Sequence, residues 1–187
     1  MKVGVLALQG AFIEHEQVLE QMGIEHFQIR QQEDAQQEFD ALILPGGEST
    51  VMGKLLKELK LMDILREKIV KGMPVLGTCA GLILLAQELS DGEATHLATL
   101  PVTVKRNAYG RQLGSFRTKA SVKGLGELPM VFIRAPYVEK VGDGVEVLAQ
   151  VDGNIVAVRY GRQIGVAFHS ELAECQAIYE LFLGWKR

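Results

Sequence analysis

Three clusters of residues could carry chemistry, and the first is built on a cysteine. Cys79 stands between Gly77-Thr78 and Ala80-Gly81, after the apolar run Pro74-Val75-Leu76 and before Leu82-Ile83-Leu84-Leu85-Ala86. Strand, small-residue turn and helix, with a thiol at the apex, is the layout of a nucleophile elbow. The amides and dipole of the following helix favour a thiolate. From this stretch alone a buried packing cysteine is an equal alternative. The second cluster is His169-Ser170-Glu171, directly after the run Gln163–Phe168. In an extended segment residues i and i+2 point the same way. A carboxylate beside an imidazole fixes its tautomer and stabilises its charged form. A polar turn before the last helix is the structural alternative. The third is Pro45-Gly46-Gly47-Glu48-Ser49-Thr50. Two glycines before a helix leave backbone amides open to a ligand or an oxyanion, with Ser49 or Thr50 as the expected N-cap.

The elements around these clusters decide whether they meet. Strands are expected over residues 3–8, 24–29, 40–44 and 75–78, and helices over 11–22, 48–59, 61–70 and 80–89. Gly23 and Gly72 act as helix stops, and the polar stretch 31–38 reads as a surface loop. Near-continuous apolar strands joined by helices argue a parallel sheet covered on both faces. In such sheets functional groups gather at the carboxyl ends of the strands. Gln9-Gly10, Gly46-Gly47-Glu48 and Cys79 all fall there. After Ser90 the character changes to short runs over 96–105, 114–122, 130–134, 145–151, 155–160 and 163–168, separated by turns such as Asp152-Gly153 and Gly161-Arg162. These read as mostly antiparallel strands that extend or flank the same sheet. A last helix is expected over 174–185, with Ile178, Leu181, Phe182 and Trp185 at helical spacing.

Composition narrows the function. The 187 residues are 48% hydrophobic, enough for one sizeable core. Twenty basic and 23 acidic residues are mixed along the chain, for a net charge of -3, so no nucleic-acid or membrane-surface footprint stands out. The opening apolar run is short and stops at Gln9-Gly10, and no other run approaches membrane-spanning length, so neither a signal peptide nor a transmembrane segment is expected. Two distant cysteines, Cys79 and Cys175, make no disulfide framework, and a cytoplasmic compartment fits them. Cysteine and histidine show no ligand spacing, so no metal is expected. Of the other histidines, His15 is placed on a surface helix, His26 in a weak strand and His96 in a polar segment; each reads as solvated.

Cys79 in its elbow, Gly46-Gly47 and the late His169-x-Glu171, in that order, resemble class I glutamine amidotransferases. The match is closer to one branch, the glutaminase subunits of pyridoxal 5'-phosphate synthases. It is carried by residues 4–11 (GVLALQGA), 44–50 (LPGGEST), 106–112 (RNAYGRQ) and 132–136 (FIRAP). The resemblance covers essentially the whole chain. It implies a single domain over residues 1–187 with a three-layer, flavodoxin-like α/β fold: a mostly parallel sheet, helices on both faces, and additional antiparallel strands in the C-terminal half.

The resemblance also implies a reaction: hydrolysis of L-glutamine to L-glutamate and ammonia, with no cofactor. Cys79, His169 and Glu171 would form the triad. The amides of Gly47 and Ala80 would form the oxyanion hole, and Gly47, Glu48, Ser49, Arg106, Ile133 and Arg134 would hold glutamine. The ammonia would pass to a TIM-barrel synthase subunit in a large hetero-oligomer. Gln9-Gly10 would be the place of an activation switch that keeps the lone chain nearly idle. One residue departs from the family pattern: Ser170 stands where proline is usual. Two other readings compete, namely a glutaminase serving a different synthase and a non-catalytic protein with Cys79 as a redox sensor. The His169–Glu171 pair argues against the second.

Overall fold

A computed structural model describes residues 1–109, 114–173 and 175–184. The strands are β1 (Lys2–Leu6), β2 (Glu25–Ile29), β3 (Ala41–Leu44), β4 (Val75–Thr78), β5 (Ala86–Leu89), β6 (Leu100–Lys105), β7 (Ser115–Val122), β8 (Gly126–Ile133), β9 (Tyr137–Val141), β10 (Glu146–Val151), β11 (Asn154–Tyr160) and β12 (Gln163–Val166). The helices are α1 (Phe12–Gln21), α2 (Gln32–Gln36), α3 (Ser49–Glu58), α4 (Met62–Val70), α5 (Ala80–Leu85) and α6 (Ala177–Leu183), with a 3-10 turn at Ser170–Leu172.

One ten-stranded sheet runs β2-β1-β3-β4-β12-β11-β9-β6-β5, with β10 paired to β11. From β2 to β12 every pairing is parallel. All residues of β3, β4 and β12 are buried, which is why β3 reads as an unbroken apolar run rather than an alternating one. β12, expected among the antiparallel strands, instead pairs in parallel with β4 and antiparallel only with β11. Beyond β12 the sheet turns antiparallel through β11, β9 and β6. The antiparallel half therefore extends the main sheet, except that β7 and β8 form a separate two-stranded sheet. Helices cover both faces. Thr78 points toward α1, where His15 meets it, and His15 in turn meets Tyr179 of α6. Its neighbour Gly77 faces Gly81 and Leu85 of α5.

Several boundaries differ from the sequence expectation. Residues 32–36 form α2 rather than loop, because Asp34 accepts from the backbone of Arg30 and Gln31 and closes a capping box. The helix after Cys79 stops at Leu85. Residues 86–89 then pair in parallel with β6, which overrides their helix-compatible character. The run at 130–134 is the end of a longer strand, β8, and β9 adds a strand at 137–141. In α6, Ile178 and Phe182 are buried and Leu181 packs partly against the core, as their spacing implies. The expected ends of that helix, Glu174 and Trp185, lie outside the described residues, as do Gly110, Arg111 and Gln112 of the 106–112 stretch.

The tightest constraint on the fold lies under α5. A Cβ on Gly81 would stand 2.0 Å from the Leu44 carbonyl oxygen, inside any allowed contact. Backbone cannot yield as a flexible side chain does, so Gly81→Ala is expected to lower stability by about 1–3 kcal/mol or more. Urea denaturation of the two proteins checks this; an unchanged midpoint would mean that α5 shifts freely over β3.

Candidate functional site

The carboxyl ends of β1, β3, β4 and β12 lie side by side, and each delivers one part of the site. β4 delivers Cys79. Its N–H donates to the Val166 carbonyl at 2.8 Å, which ties the elbow to β12. Its backbone is held at φ 49°, ψ −102°, a region non-glycine residues avoid. The following helix begins at once with Ala80, so the thiol is presented at the apex of the turn as the small-residue pattern implies. Sγ lies 3.9 Å from the Ile133 carbonyl oxygen.

β12 leads to His169, whose backbone N–H is fixed to the Val131 carbonyl at 2.8 Å. Its Nδ1 lies 2.6 Å from Glu171 Oε1, so the i, i+2 projection expected from the sequence is realised. The ring lines the same cavity as the Cys79 thiol and interacts with it electrostatically. Burial alone would lower the imidazole pKa. Interaction with Cys79 and Glu171, the latter through a 2.6 Å hydrogen bond, outweighs it and raises the value from 6.5 to about 10. His169 is thus an imidazolium at neutral pH, the partner that a thiolate nucleophile requires. Glu171 shows the reverse balance. Burial would raise its carboxyl, but the imidazoles of His15 and His169 hold it below the usual range.

β3 leads to the glycine pair. The His169 ring lies so close to Gly46 that a Cβ there would stand 2.4 Å from Cε1. Behind the pair sits the turn after β1. Ala11 N–H donates to the Gly46 carbonyl at 2.9 Å, and Glu48 N–H donates to Gln9 Oε1 at 2.8 Å. Gly10, at φ +90°, leaves no room for a Cβ against Gly46. Gln9 and Gly10 therefore buttress the Gly46–Glu48 backbone from behind and do not line the cavity. The N-cap of α3 is Glu48, not Ser49 or Thr50 as expected: its carboxylate accepts from the N–H groups of Thr50 and Val51.

In front of Cys79 opens a cavity of about 340 Å³, the size of a small-molecule site. Gly47, Glu48, Ser49, Cys79, Arg106, Ile133, Arg134 and His169 line it, and so do Ile83 and Asn107, which the sequence reading did not single out. Ala80 is buried beside Cys79, and Glu171 is buried behind His169. Arg106 is held in place: Nε lies 2.6 Å from Asp91 Oδ2 and Nη1 lies 3.2 Å from Thr50 Oγ1. Burial would raise the Asp91 carboxyl, but Arg106 keeps it below its ordinary value. Arg134 adopts φ 46° and donates its N–H to the Gly114 carbonyl. Among the described residues, no group of three or more His, Cys, Asp or Glu side chains is arranged to hold a metal ion.

The largest departure from the sequence reading is His15, expected on a solvated face. It is 0% exposed. Its Nδ1 lies 2.7 Å from the Tyr179 hydroxyl, and its Nε2 lies 3.1 Å from Thr78 Oγ1 and 3.5 Å from Glu171 Oε2. The available signal was spacing: His15 shares a helical face with Val18, Leu19 and Met22. His96, also expected in solvent, has a buried Nδ1 and packs against Gly53. Cys175 is buried, as a packing residue would be.

Chemically, the arrangement can activate a sulfur nucleophile, move a proton to or from an atom bound beside it, and hold a small charged molecule in front of it. Comparison with known proteins agrees with that chemistry. A model of the SNO glutamine amidotransferase family matches residues 5–185. A pyridoxal 5'-phosphate synthase subunit PdxT of Desulfitobacterium hafniense strain Y51 is 61% identical over 183 residues, covering 98% of this chain and 92% of that protein. The PdxT of Streptococcus pneumoniae strain ATCC 700669 is 50% identical over 186 residues, covering 98% and 96%. A crystal structure described as a glutamine amidotransferase superposes with a TM-score of 0.92 at 44% identity over 97% of each chain. A component of PurLQS from Thermotoga maritima, at 16% identity and a TM-score of 0.71, shares the fold.

Ser170, at the start of the 3-10 turn, is 1% exposed. Its hydroxyl lies by that of Tyr179 but closes no hydrogen bond of good geometry. The preceding residue, His169, has φ −91°, ψ 90°, outside the helical region that a following proline disfavours. The first N–H of a helical turn has no internal partner to lose. Ser170→Pro is therefore expected to raise stability by about 0.4–1 kcal/mol. Thermal denaturation checks this; a lowered midpoint would show that the serine backbone occupies a region closed to proline.

Proposed function

This chain belongs to the SNO glutamine amidotransferase family, and from that premise we infer that it is the glutaminase subunit of a pyridoxal 5'-phosphate synthase. It hydrolyses L-glutamine to L-glutamate and supplies the ammonia to a synthase subunit. The observation that carries the residue-level reading is that Cys79 and His169, the latter hydrogen-bonded to Glu171, open on one cavity of about 340 Å³.

Glutamine would lie in that cavity with its side-chain amide carbon against Sγ of Cys79. The guanidinium of Arg106, with its other edge already bound by Asp91, suits the α-carboxylate. Arg134, Ile133, Asn107 and the Gly47–Ser49 backbone form the remaining walls. The thiolate attacks the amide carbon. Charge develops on the carbonyl oxygen, where the N–H groups of Gly47 and Ala80 receive it, each contributing about 3 kcal/mol to the barrier reduction. His169 gives its proton to the amide nitrogen as the C–N bond breaks, so ammonia leaves and a γ-glutamyl thioester remains. Now neutral, His169 takes a proton from water, and the resulting hydroxide displaces Sγ. Glutamate departs, and the thiolate–imidazolium pair is restored. Glu171 keeps the imidazole in one tautomer and stabilises its charge through both steps.

The partner is a TIM-barrel synthase in a large hetero-oligomer, and the switch for activity is the Gln9-Gly10 turn. That turn supports the Gly46–Glu48 backbone through two hydrogen bonds, so a shift of the turn would move the proposed Gly47 oxyanion donor with it. The lone chain is expected to release little ammonia from glutamine and to accelerate when the synthase is added. Cys79→Ala is expected to lose at least about a thousandfold in turnover under both conditions. Ammonia release that persists in the alanine variant would overturn the mechanism, and a lone chain already at full rate would overturn the switch.

A further inference from the structure

We propose that His15 is a positioning residue for the reaction, a second imidazole that anchors the Glu171 carboxylate from the side opposite His169. The inference rests on the glutaminase reading and adds a residue that the triad does not contain.

The geometry begins with a shared carboxylate. Glu171 gives Oε1 to His169 at 2.6 Å, while Oε2 is buried and closes no hydrogen bond of ordinary length. The ring nitrogen Nε2 of His15 faces that oxygen at 3.5 Å. A buried carboxylate oxygen left without a donor is costly, so the arrangement needs a hydrogen on His15 Nε2. The other ring nitrogen permits this: Nδ1 sits 2.7 Å from the Tyr179 hydroxyl, which can donate to it. The reverse tautomer would aim a lone pair at an anionic oxygen. The Nε2 hydrogen is therefore shared between Glu171 Oε2 and Thr78 Oγ1, the latter 3.1 Å away on the residue before the nucleophile. The 3.5 Å separation leaves room for this contact to tighten as charge builds on His169.

The balance of the groups facing His15 favours a neutral ring. Glu171 and His169 approach from the 3-10 segment, Tyr179 from α6, Thr78 from β4, and Glu14 from its own helix. Burial, the dominant influence, lowers the His15 pKa, and His169 lowers it further, against the upward pull of Glu171 and Glu14. A neutral donor serves as an anchor without competing with His169 for the proton.

The test compares His15→Leu, which keeps bulk but removes the donor, with His15→Gln, whose side-chain amide can place an N–H where Nε2 stands. Both are assayed for glutamine hydrolysis with the synthase present. In His15→Leu, kcat is expected to fall about tenfold or more, with KM for glutamine within about twofold of wild type. His15→Gln is expected to recover most of that loss. A second readout needs no turnover: the His169 imidazole is titrated by NMR in the lone chain. Its midpoint is expected to fall by about one unit in His15→Leu, because Glu171 is less firmly held as an anion, and to return toward wild type in His15→Gln. Equal kcat in wild type and His15→Leu overturns the inference and leaves the glutaminase reading intact. So does equal loss in both variants with an unmoved His169 midpoint, the mark of a packing role. A wild-type protein that hydrolyses no glutamine even with the synthase overturns the function itself, and this inference with it.

Discussion

The backbone at Cys79 is the constraint on which the rest of the site depends. A non-glycine residue at φ 49° costs on the order of 1–3 kcal/mol and persists only where its surroundings enforce it. Here the enforcement is explicit. Cys79 N–H is tied to Val166 on β12. On the far side of the turn, Gly81 rests against the Leu44 carbonyl of β3. Three adjacent parallel strands thus clamp one dihedral angle. The same three strands end at the glycine pair, at the thiol and at His169, so the clamp that strains the cysteine also sets its distance from the other groups.

Behind the thiol runs a buried chain of polar groups, Cys79–His169–Glu171–His15–Tyr179, which joins β4, the 3-10 turn, α1 and α6. Buried charge is tolerable only where each charge meets an opposite charge or a donor. The imidazolium of His169 and the carboxylate of Glu171 satisfy one another, and the neutral His15 faces the remaining carboxylate oxygen. Burial serves the chemistry as well as threatening stability. Away from water, the carboxylate raises the His169 pKa far more than a solvated pair would, which keeps a proton beside the sulfur, as the proposed general acid requires.

Much of this was legible in the chain, and the gaps have physical causes. The parallel core was readable at β3, which is covered on both faces and needs an unbroken apolar run, and at β4 beside it. β12, which pairs in parallel with β4, was grouped with the antiparallel strands because Gln163 and Gly165 interrupt its apolar character. The elbow was readable because a turn this sharp admits only small neighbours. His169 and Glu171 could be paired because alternation in an extended segment needs no tertiary knowledge. His15 was misplaced because α1 is weakly patterned: between Phe12 and Val18, histidine, glutamate and glutamine surround a single isoleucine. That face becomes an interior only once β4, the 3-10 turn and α6 pack against it. Residues 86–89 were misread for a related reason, since pairing with β6 outweighs local propensity. Glu48 as the cap of α3 was hidden by the hydroxyl residues after it, which are the more usual caps.

The central claim is that Cys79 forms a covalent thioester with the γ-glutamyl group, and it can be observed directly. The chain, assembled with its synthase and mixed with L-glutamine, is quenched in acid during turnover, digested and analysed by mass spectrometry. The expected result is a peptide containing Cys79 that carries the mass of one γ-glutamyl group, absent when glutamine is withheld. Turnover that proceeds with Cys79 unmodified throughout, or an adduct confined to Cys175, would contradict the account.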